Sequence, residues 1–230
     1  MACHWGSSRA RCSVVNDVSI TQLQPGDDAG FKAALAVYQE AILPSEQKAK
    51  EELRKLMGRR DYRFLVARRE AAIVGMCVSH YSAIYFWLYE YAAVAPAERG
   101  RGIGALLFQG ARASSNSIGL VEADADTSGD PQSEQARRLS FYERMGCRQL
   151  QGLDYVLPLR ANGIPPPMVL LAHAPREVTG VPSKTVEFWL RSIYVDVYGQ
   201  NFHDSRIATM IRGLPAEVAL VSPTTGPATP

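Results

Sequence analysis

From Val14 onward the apolar positions fall into alternating and helical runs separated by turn residues. Val14–Leu23 alternates as a first strand. Pro25-Gly26-Asp27-Asp28 ends it, and its aspartates offer a cap for the helix that follows. Phe31, Leu35, Tyr38 and Ile42 recur at helical spacing, and a second helix is predicted from Pro44 and Ser45 to Gly58, with Leu53, Leu56 and Met57 inward. Tyr62–Arg68 and Ile73–Tyr81 read as a hairpin around Glu70-Ala71, and Ala83–Val94 as a long third strand beside it.

After Val94 the pattern changes. A glycine-rich turn opens a helical stretch that runs to Arg112, and Leu120–Ala125 is a short strand parallel to the long one across that helical crossover. Arg148–Leu157 and Met168–His173 are expected as the last strands, with an irregular loop over Asn162–Pro167 between them. Val186, Trp189, Leu190, Ile193, Tyr194 and Val197 then recur at helical intervals between Pro182 and Gly199. A second short helix is expected over Ser205–Arg212, and a Pro- and Thr-rich tail closes the chain. The expected organisation is a disordered leader over 1–13, one domain over 14–175, a helical extension over 176–214 and a disordered tail over 215–230. The extension covers an exposed sheet face, contacts a second copy to give a homodimer, or walls a substrate site.

The turn reads Arg99-Gly100-Arg101-Gly102-Ile103-Gly104-Ala105. Alternate residues without a Cβ let a ligand approach the backbone, and a helix opening there presents unpaired N–H groups and the positive end of its dipole to an anion such as a pyrophosphate. A nucleoside-triphosphatase loop would need Lys-Ser/Thr where Ala105-Leu106 stand. A dinucleotide fold would place its glycines after the first strand of a βαβ unit, with an acid about 20 residues on; Glu122 roughly fits that spacing, but the loop lies nearly halfway along the chain, after several strand candidates.

With Arg99, Gly102 and Gly104 the turn resembles the Arg/Gln-x-x-Gly-x-Gly/Ala signature of the GNAT N-acetyltransferases. A second segment, Tyr142-x-x-x-Gly146-Cys147, resembles the end of the later helix of that family. The resemblance covers Tyr62–Cys147 and implies a mixed, mostly antiparallel twisted α/β sheet flanked by helices. It also implies acetyl-CoA as cosubstrate, with its phosphates on the Arg99–Ala105 loop and its pantetheine arm between splayed strands against Ala92 and Val94. Gln135 and Arg138 stand where family members carry an asparagine and a small residue. They are candidate cofactor contacts that depart from the pattern, and Arg138 could instead pair with Glu134.

Acetyl transfer needs a base for the acceptor ammonium and an acid for the departing thiolate. Glu90, on the strand that leads to the loop, is the candidate base, and Tyr142, protonated at neutral pH, the candidate acid. The resemblance implies an acceptor site between the first two helices and the long strand, with Tyr38, Glu46, Tyr81 and Tyr89, and Pro44, as candidate contacts, Glu46 being suited to a cationic amine. It also implies a small-molecule or peptide amine as acceptor. An N-acyl amino acid synthase using a longer acyl-CoA and a non-catalytic acyl-CoA-binding sensor module are the alternatives.

Composition narrows this little further. The chain has 230 residues, 47% of them hydrophobic, and a formal net charge of +2 without a basic stripe, so no nucleic-acid partner is expected. No apolar run approaches the roughly 18 residues that span a bilayer, and no membrane partner is expected. Cys3, Cys12, Cys77 and Cys147 have no paired spacing and read as reduced thiols of a cytoplasmic protein, and Cys3, His4 and Cys12 fit no zinc pattern, so no metal is expected.

Overall fold

The computed structural model describes residues 17–44, 47–82, 85–158 and 166–223. An antiparallel ladder forms the first half of the sheet: β1 (Val18–Gln22), β2 (Tyr62–Arg69), β3 (Ala72–Ser82) and β4 (Phe86–Val94). Between β1 and β2 run α1 (Asp28–Ala41) and α2 (Lys50–Leu56), α1 being capped by Asp27, whose Oδ1 accepts from the Gly30 N–H at 2.8 Å. The β2–β3 hairpin turns at Glu70, whose φ of +52° is that of a left-handed turn residue.

Then come α3 (Ile103–Arg112), β5 (Ile118–Asp124), α4 (Glu134–Arg144), β6 (Cys147–Leu150) and β7 (Met168–His173). The chain closes with β8 (Gly180–Pro182), α5 (Ser183–Ser192), α6 (Ser205–Ile211) and β9 (Glu217–Val221). Among the described residues nine strands join one sheet in the order β1-β2-β3-β4-β5-β7-β6-β9-β8, in which only β4 and β5 pair in parallel. This is the mixed, mostly antiparallel architecture that the sequence predicts.

Three cores flank the sheet. On one face α1 and α2 bury Phe31, Tyr38, Leu53 and Leu56 against Phe64, Met76 and Val78, while α5 and α6 bury Trp189, Leu190, Tyr194 and Ile207 against Phe86, Leu88 and Leu120. On the other face α3 and α4 bury Ile103, Leu107, Phe108, Leu139 and Tyr142 against Leu65, Trp87, Tyr89 and Val121.

Four expectations are corrected. The strand expected over Arg148–Leu157 ends at Leu150: Gly152, with φ +76°, turns the chain, and Tyr155 makes only an isolated bridge to Met168. The second helix starts at Lys50, not near Pro44; Ser45 lies outside the described residues. Residues 176–214 are not purely helical, because β8 precedes α5, and α5 passes into a π-helical turn over Ile193–Val197 that stops at Gly199, φ +64°. Glu217–Val221, expected in the tail, is a strand between β6 and β8. Val218 and Leu220 alternate inward, and their burial holds the segment in the sheet and covers the edge that β6 would otherwise expose. The leader at 1–13, Asn162–Pro165 of the expected loop and the end of the tail lie outside the described residues.

Gly119 tests the packing where β4 meets β5. It pairs with Trp87, and a Cβ at this position would stand 2.3 Å from Cζ2 of that fully buried ring. Gly119→Ala is predicted to cost about 1–3 kcal/mol, read as a lower denaturant midpoint at unchanged slope.

Candidate active site

In the β3–β4 ladder Val78 pairs with Tyr91 and Ser79 with Tyr89, which leaves Glu90 as an extra residue in β4, a β-bulge. Before it, Phe86 and Leu88 face α5 and α6 while Trp87 and Tyr89 face α3. After it the parity reverses: Tyr91 and Ala93 face α1 and α2, and Ala92 and Val94 lie with α3. The same place ends the parallel ladder, whose last pair is Tyr89 with Val121. Beyond it β4 continues along β3 to Val94 and β5 along β7 to Asp124, so the two strands part into a wedge whose β4 edge is Glu90–Val94.

The glycine loop closes one side of this wedge. Gly100 and Gly102 have φ of +75° and +80°, values a side chain would strain, and Gly102 caps α3. The first helical bond runs from the Leu106 N–H to the Gly102 carbonyl at 3.2 Å. The N–H groups of Ile103, Gly104 and Ala105 are therefore the unpaired donors of the helix start. Gly104 differs from its neighbours: a Cβ there would meet only Phe141, at an ordinary 3.5 Å, so protein packing does not demand a glycine. Arg99 donates from Nε to the Val94 carbonyl at 3.3 Å and ties the loop to the strand end, and the exposed Arg101 lies 3.7 Å from Glu98.

On α4, which Ser133 caps, Gln135 is exposed in the first turn, while Arg138 is held by Asp124 at 2.6 Å and Glu134 at 3.0 Å. Tyr142 packs with Phe108 at 6.3 Å between ring centroids, in the core that contains Tyr89, Val121 and Ala123, where the strands part. Burial raises its pKa, so the phenol keeps its proton at neutral pH, and no group among the described residues hydrogen-bonds its hydroxyl.

On the opposite face, between the two cores there, lies a cluster of buried polar side chains, termed the chamber. Lys48 reaches it from the loop before α2, with its N–H donating to the Tyr38 hydroxyl at 2.9 Å. Gln47 pins the same loop by donating to the carbonyls of Ile42 and Gln39 at the end of α1. The Lys48 ammonium pairs with Oε1 of Glu90, the two side chains being 9% and 2% exposed, and lies 5.1 Å and 5.6 Å from the ring centroids of Tyr91 and Tyr198. Oε2 of Glu90 is buried with no hydrogen-bond partner among the described residues.

Across the wedge Glu122 accepts from the hydroxyls of Tyr155 and, at 2.7 Å, Tyr198. Burial pushes its carboxyl up to about 7; the two phenols pull it down, the charge of Glu90 adds to the rise and Lys48 opposes it. Two buried carboxyls thus share one resident ammonium.

Of the residues proposed from sequence for the acceptor, Tyr38 reaches this chamber through Lys48, while Glu46 lies outside the described residues. Tyr81 and Tyr89 pack on the other face of the sheet. Tyr81 stacks on Trp87 and donates to the Ala111 carbonyl at 2.7 Å, and Tyr89 packs on Phe108 at 5.2 Å. From Gly75 on, odd positions of β3 face α3, and Tyr89 precedes the bulge, so both rings lie on the far side of the sheet. The sequence reading missed Lys48, Glu122, Tyr155 and Tyr198 as site residues. Glu122 carried a usable signal, an acid in phase with the inward Leu120 of an apolar strand.

Among the described residues no group of His, Cys, Asp and Glu is placed to hold a metal ion, and no helix is long and apolar enough to cross a membrane. Cys77 and Cys147 are buried free thiols; Cys3 and Cys12 lie outside the described residues. A groove of about 920 Å³ lies away from the wedge, at the carboxy ends of α3 and α4. Its Arg112 and Arg144 stand where cations offset helix dipoles.

Residues 60–148 match the family described as acetyltransferase (GNAT) domain, a span that holds Glu90, the glycine loop, Glu122 and Tyr142. Over these residues the chain is similar to a GNAT acetyltransferase domain. A search of curated proteins finds no match. Among solved structures, a protein assigned to the GNAT acetyltransferase family from Bacteroides thetaiotaomicron superposes with a TM-score of 0.64 at 21% identity, over 80% of this chain and 99% of its own. The ribosomal-protein-S18-alanine N-acetyltransferase of Escherichia coli does so with 0.52 at 12% identity, over 67% and 92%. An aminoglycoside 6'-N-acetyltransferase complexed with coenzyme A gives 0.51 at 18%, over 69% and 98%. At these identities the likeness is one of fold.

The raised carboxyl of Glu122 makes a signed prediction. Its folded pKa of about 7 exceeds the ordinary 4.5, so the folded state binds the proton more tightly and stability falls as pH rises from about 4.5 to about 7. Glu122→Gln removes that dependence. The unfolding free energy of the wild type, relative to the variant, should fall by on the order of 3 kcal/mol across this window, measured by denaturant melts at stepped pH.

Proposed function

We propose that the protein transfers an acetyl group from acetyl-CoA directly to a primary amine, without a covalent enzyme intermediate. The observation that carries the reading is the wedge between β4 and β5, with unpaired helix donors on one side and the Glu90 carboxylate, delivered by the bulge, on the other. Bound acetyl-CoA supplies an acetyl thioester, a carbonyl open to attack by a neutral amine.

The chain's own groups supply the rest. The N–H groups of Ile103, Gly104 and Ala105 bind the phosphates, the positive φ of Gly100 and Gly102 shaping the loop and Arg101 adding charge. The free edge of β4 at Ala92 and Val94 pairs with the extended arm of the cosubstrate, and the first N–H groups past the fork orient the thioester carbonyl. Glu90 takes the proton of the acceptor ammonium. Tyr142, whose phenol stays protonated, gives one to the leaving sulfur. The buried carboxyls of Glu90 and Glu122 suit a cationic acceptor, as do the amine substrates that the aminoglycoside and ribosomal-protein acetyltransferases of the same fold are named for.

Two variants test the halves separately. Gly104→Val places a side chain among the phosphate donors at a position where the backbone is unstrained, whereas a side chain at Gly102 would meet its positive φ as well. With the thermal melt retained, acetyl-CoA affinity by calorimetry should fall at least about tenfold, or about 1.4 kcal/mol; undiminished affinity would remove the phosphate role of the loop. Tyr142→Phe keeps the packing ring and deletes the hydroxyl. Turnover of an accepted amine should slow by about 10²-fold with acetyl-CoA affinity nearly unchanged, and equal turnover would return Tyr142 to a packing role.

A further inference from the structure

The chain has five lysines, and four of them, Lys32, Lys50, Lys55 and Lys184, are exposed. The fifth, Lys48, is turned into the chamber, its side chain 9% exposed and its ammonium against the carboxylate of the residue at which β4 leaves β5. The rings of Tyr91 and Tyr198 flank the ammonium, and two anchors aim the side chain: the Tyr38 hydroxyl on its own N–H, and Gln47 on the last carbonyls of α1. A buried ammonium costs several kcal/mol to desolvate, and an ion pair in the interior seldom returns more than that, so packing alone gives little reason to hold a lysine here. What the arrangement does provide is an aliphatic amine in contact with the carboxylate that would deprotonate an acceptor.

We propose that Lys48 is itself an acetyl acceptor, modified on Nζ by acetyl-CoA bound in the same chain. The inference rests on the acetyltransferase reading of the wedge. The lone pair of the deprotonated Nζ forms the N–C bond to the thioester carbonyl carbon, the C–S bond breaks, and its electron pair leaves with sulfur. Of the two protons the ammonium gives up, one passes by way of Glu90 to solvent and the other ends on the sulfur. The products are the acetamide of Lys48, the free thiol of coenzyme A and one released proton. The modified side chain carries no charge, so the two carboxyls of the chamber lose their resident cation, and Glu90 is left free to pair with an external amine.

The test uses the full chain and acetyl-CoA at neutral pH with no added amine, followed by intact mass and peptide mapping. One acetyl group per chain should appear, on Lys48, with a rate constant independent of protein concentration and at least about tenfold above that of any of the four exposed lysines. Lys48→Arg keeps a cation for Glu90 and should abolish the added mass, Lys50→Arg should not, and Glu90→Gln should slow the modification at least about tenfold. Heat-unfolded chain should lose the preference for Lys48. If chain shown by calorimetry to bind acetyl-CoA modifies Lys48 no faster than the exposed lysines, the proposal is overturned. Should that same preparation acetylate added amines, self-acetylation fails alone and the acetyltransferase reading stands; a folded chain that binds no acetyl-CoA overturns both.

Discussion

The insertion of one residue, Glu90, into β4 is the constraint on which the remainder of the molecule depends. A regular strand presents each parity to one face throughout, so it serves one core on each side. By reversing parity at Glu90, β4 fills the α5–α6 core with Phe86 and Leu88, the α3–α4 core with Trp87 and Tyr89, and the α1–α2 core with Tyr91 and Ala93. The switch falls where the parallel ladder ends. A bulge bends its strand and increases the local twist, which turns β4 away from β5 just as β5 is drawn the other way by its long pairing with β7. The wedge and the placement of the carboxylate thus have a common origin in the register.

The charges of the chamber make sense only beside that geometry. A fold optimised for stability would fill the space between two apolar cores with apolar side chains, since breaking even against the desolvation of Lys48, Glu90 and Glu122 requires every polar atom to be paired. They are not all paired, for Oε2 of Glu90 lacks a partner, and Glu122 rests near its own titration point in spite of two phenol donors. A carboxyl held in the condition of Glu122 is poorly placed to stabilise a fold and well placed to exchange protons. On the other face of the sheet Tyr142 is kept protonated by burial. The wedge therefore separates groups able to accept a proton from one able to give it.

Much of this was legible in the sequence where the signal is local. The hairpin is carried by two apolar runs around Glu70-Ala71, and the helix start by three glycines of which two take positive φ. What was not legible depends on register and long-range packing. Nothing in Tyr89-Glu90-Tyr91 announces a bulge, so Tyr81 and Tyr89 read as acceptor contacts although parity sends them to the far face. Gly152 breaks a run that looks like one strand, and Glu217–Val221 looks like the start of a tail because the partners that make it a strand, β6 and β8, are distant in sequence. Lys48 carries no pattern at all: its position comes from Tyr38 and Gln47 holding a short loop.

The residues around the wedge differ in where they come from. The glycine loop, Glu90, Glu122 and Tyr142 lie within the segment that matches the acetyltransferase family, whereas Lys48 precedes it, and Tyr155 and Tyr198 follow it. Tyr198 comes from the segment that the sequence reading set apart as an extension. The π-helical turn over Ile193–Val197 and the stop at Gly199 deliver its ring to Lys48 and its hydroxyl to Glu122. The extension cannot be loosened without disturbing the chamber, because Trp189, Leu190 and Tyr194 share one core with Phe86, Leu88 and Leu120 of β4 and β5. Likeness to the family therefore speaks to the glycine loop, Tyr142 and the two carboxyls. The groups that hold those carboxyls, Lys48, Tyr155 and Tyr198, come from this chain's own loop before α2 and its own carboxy-terminal packing.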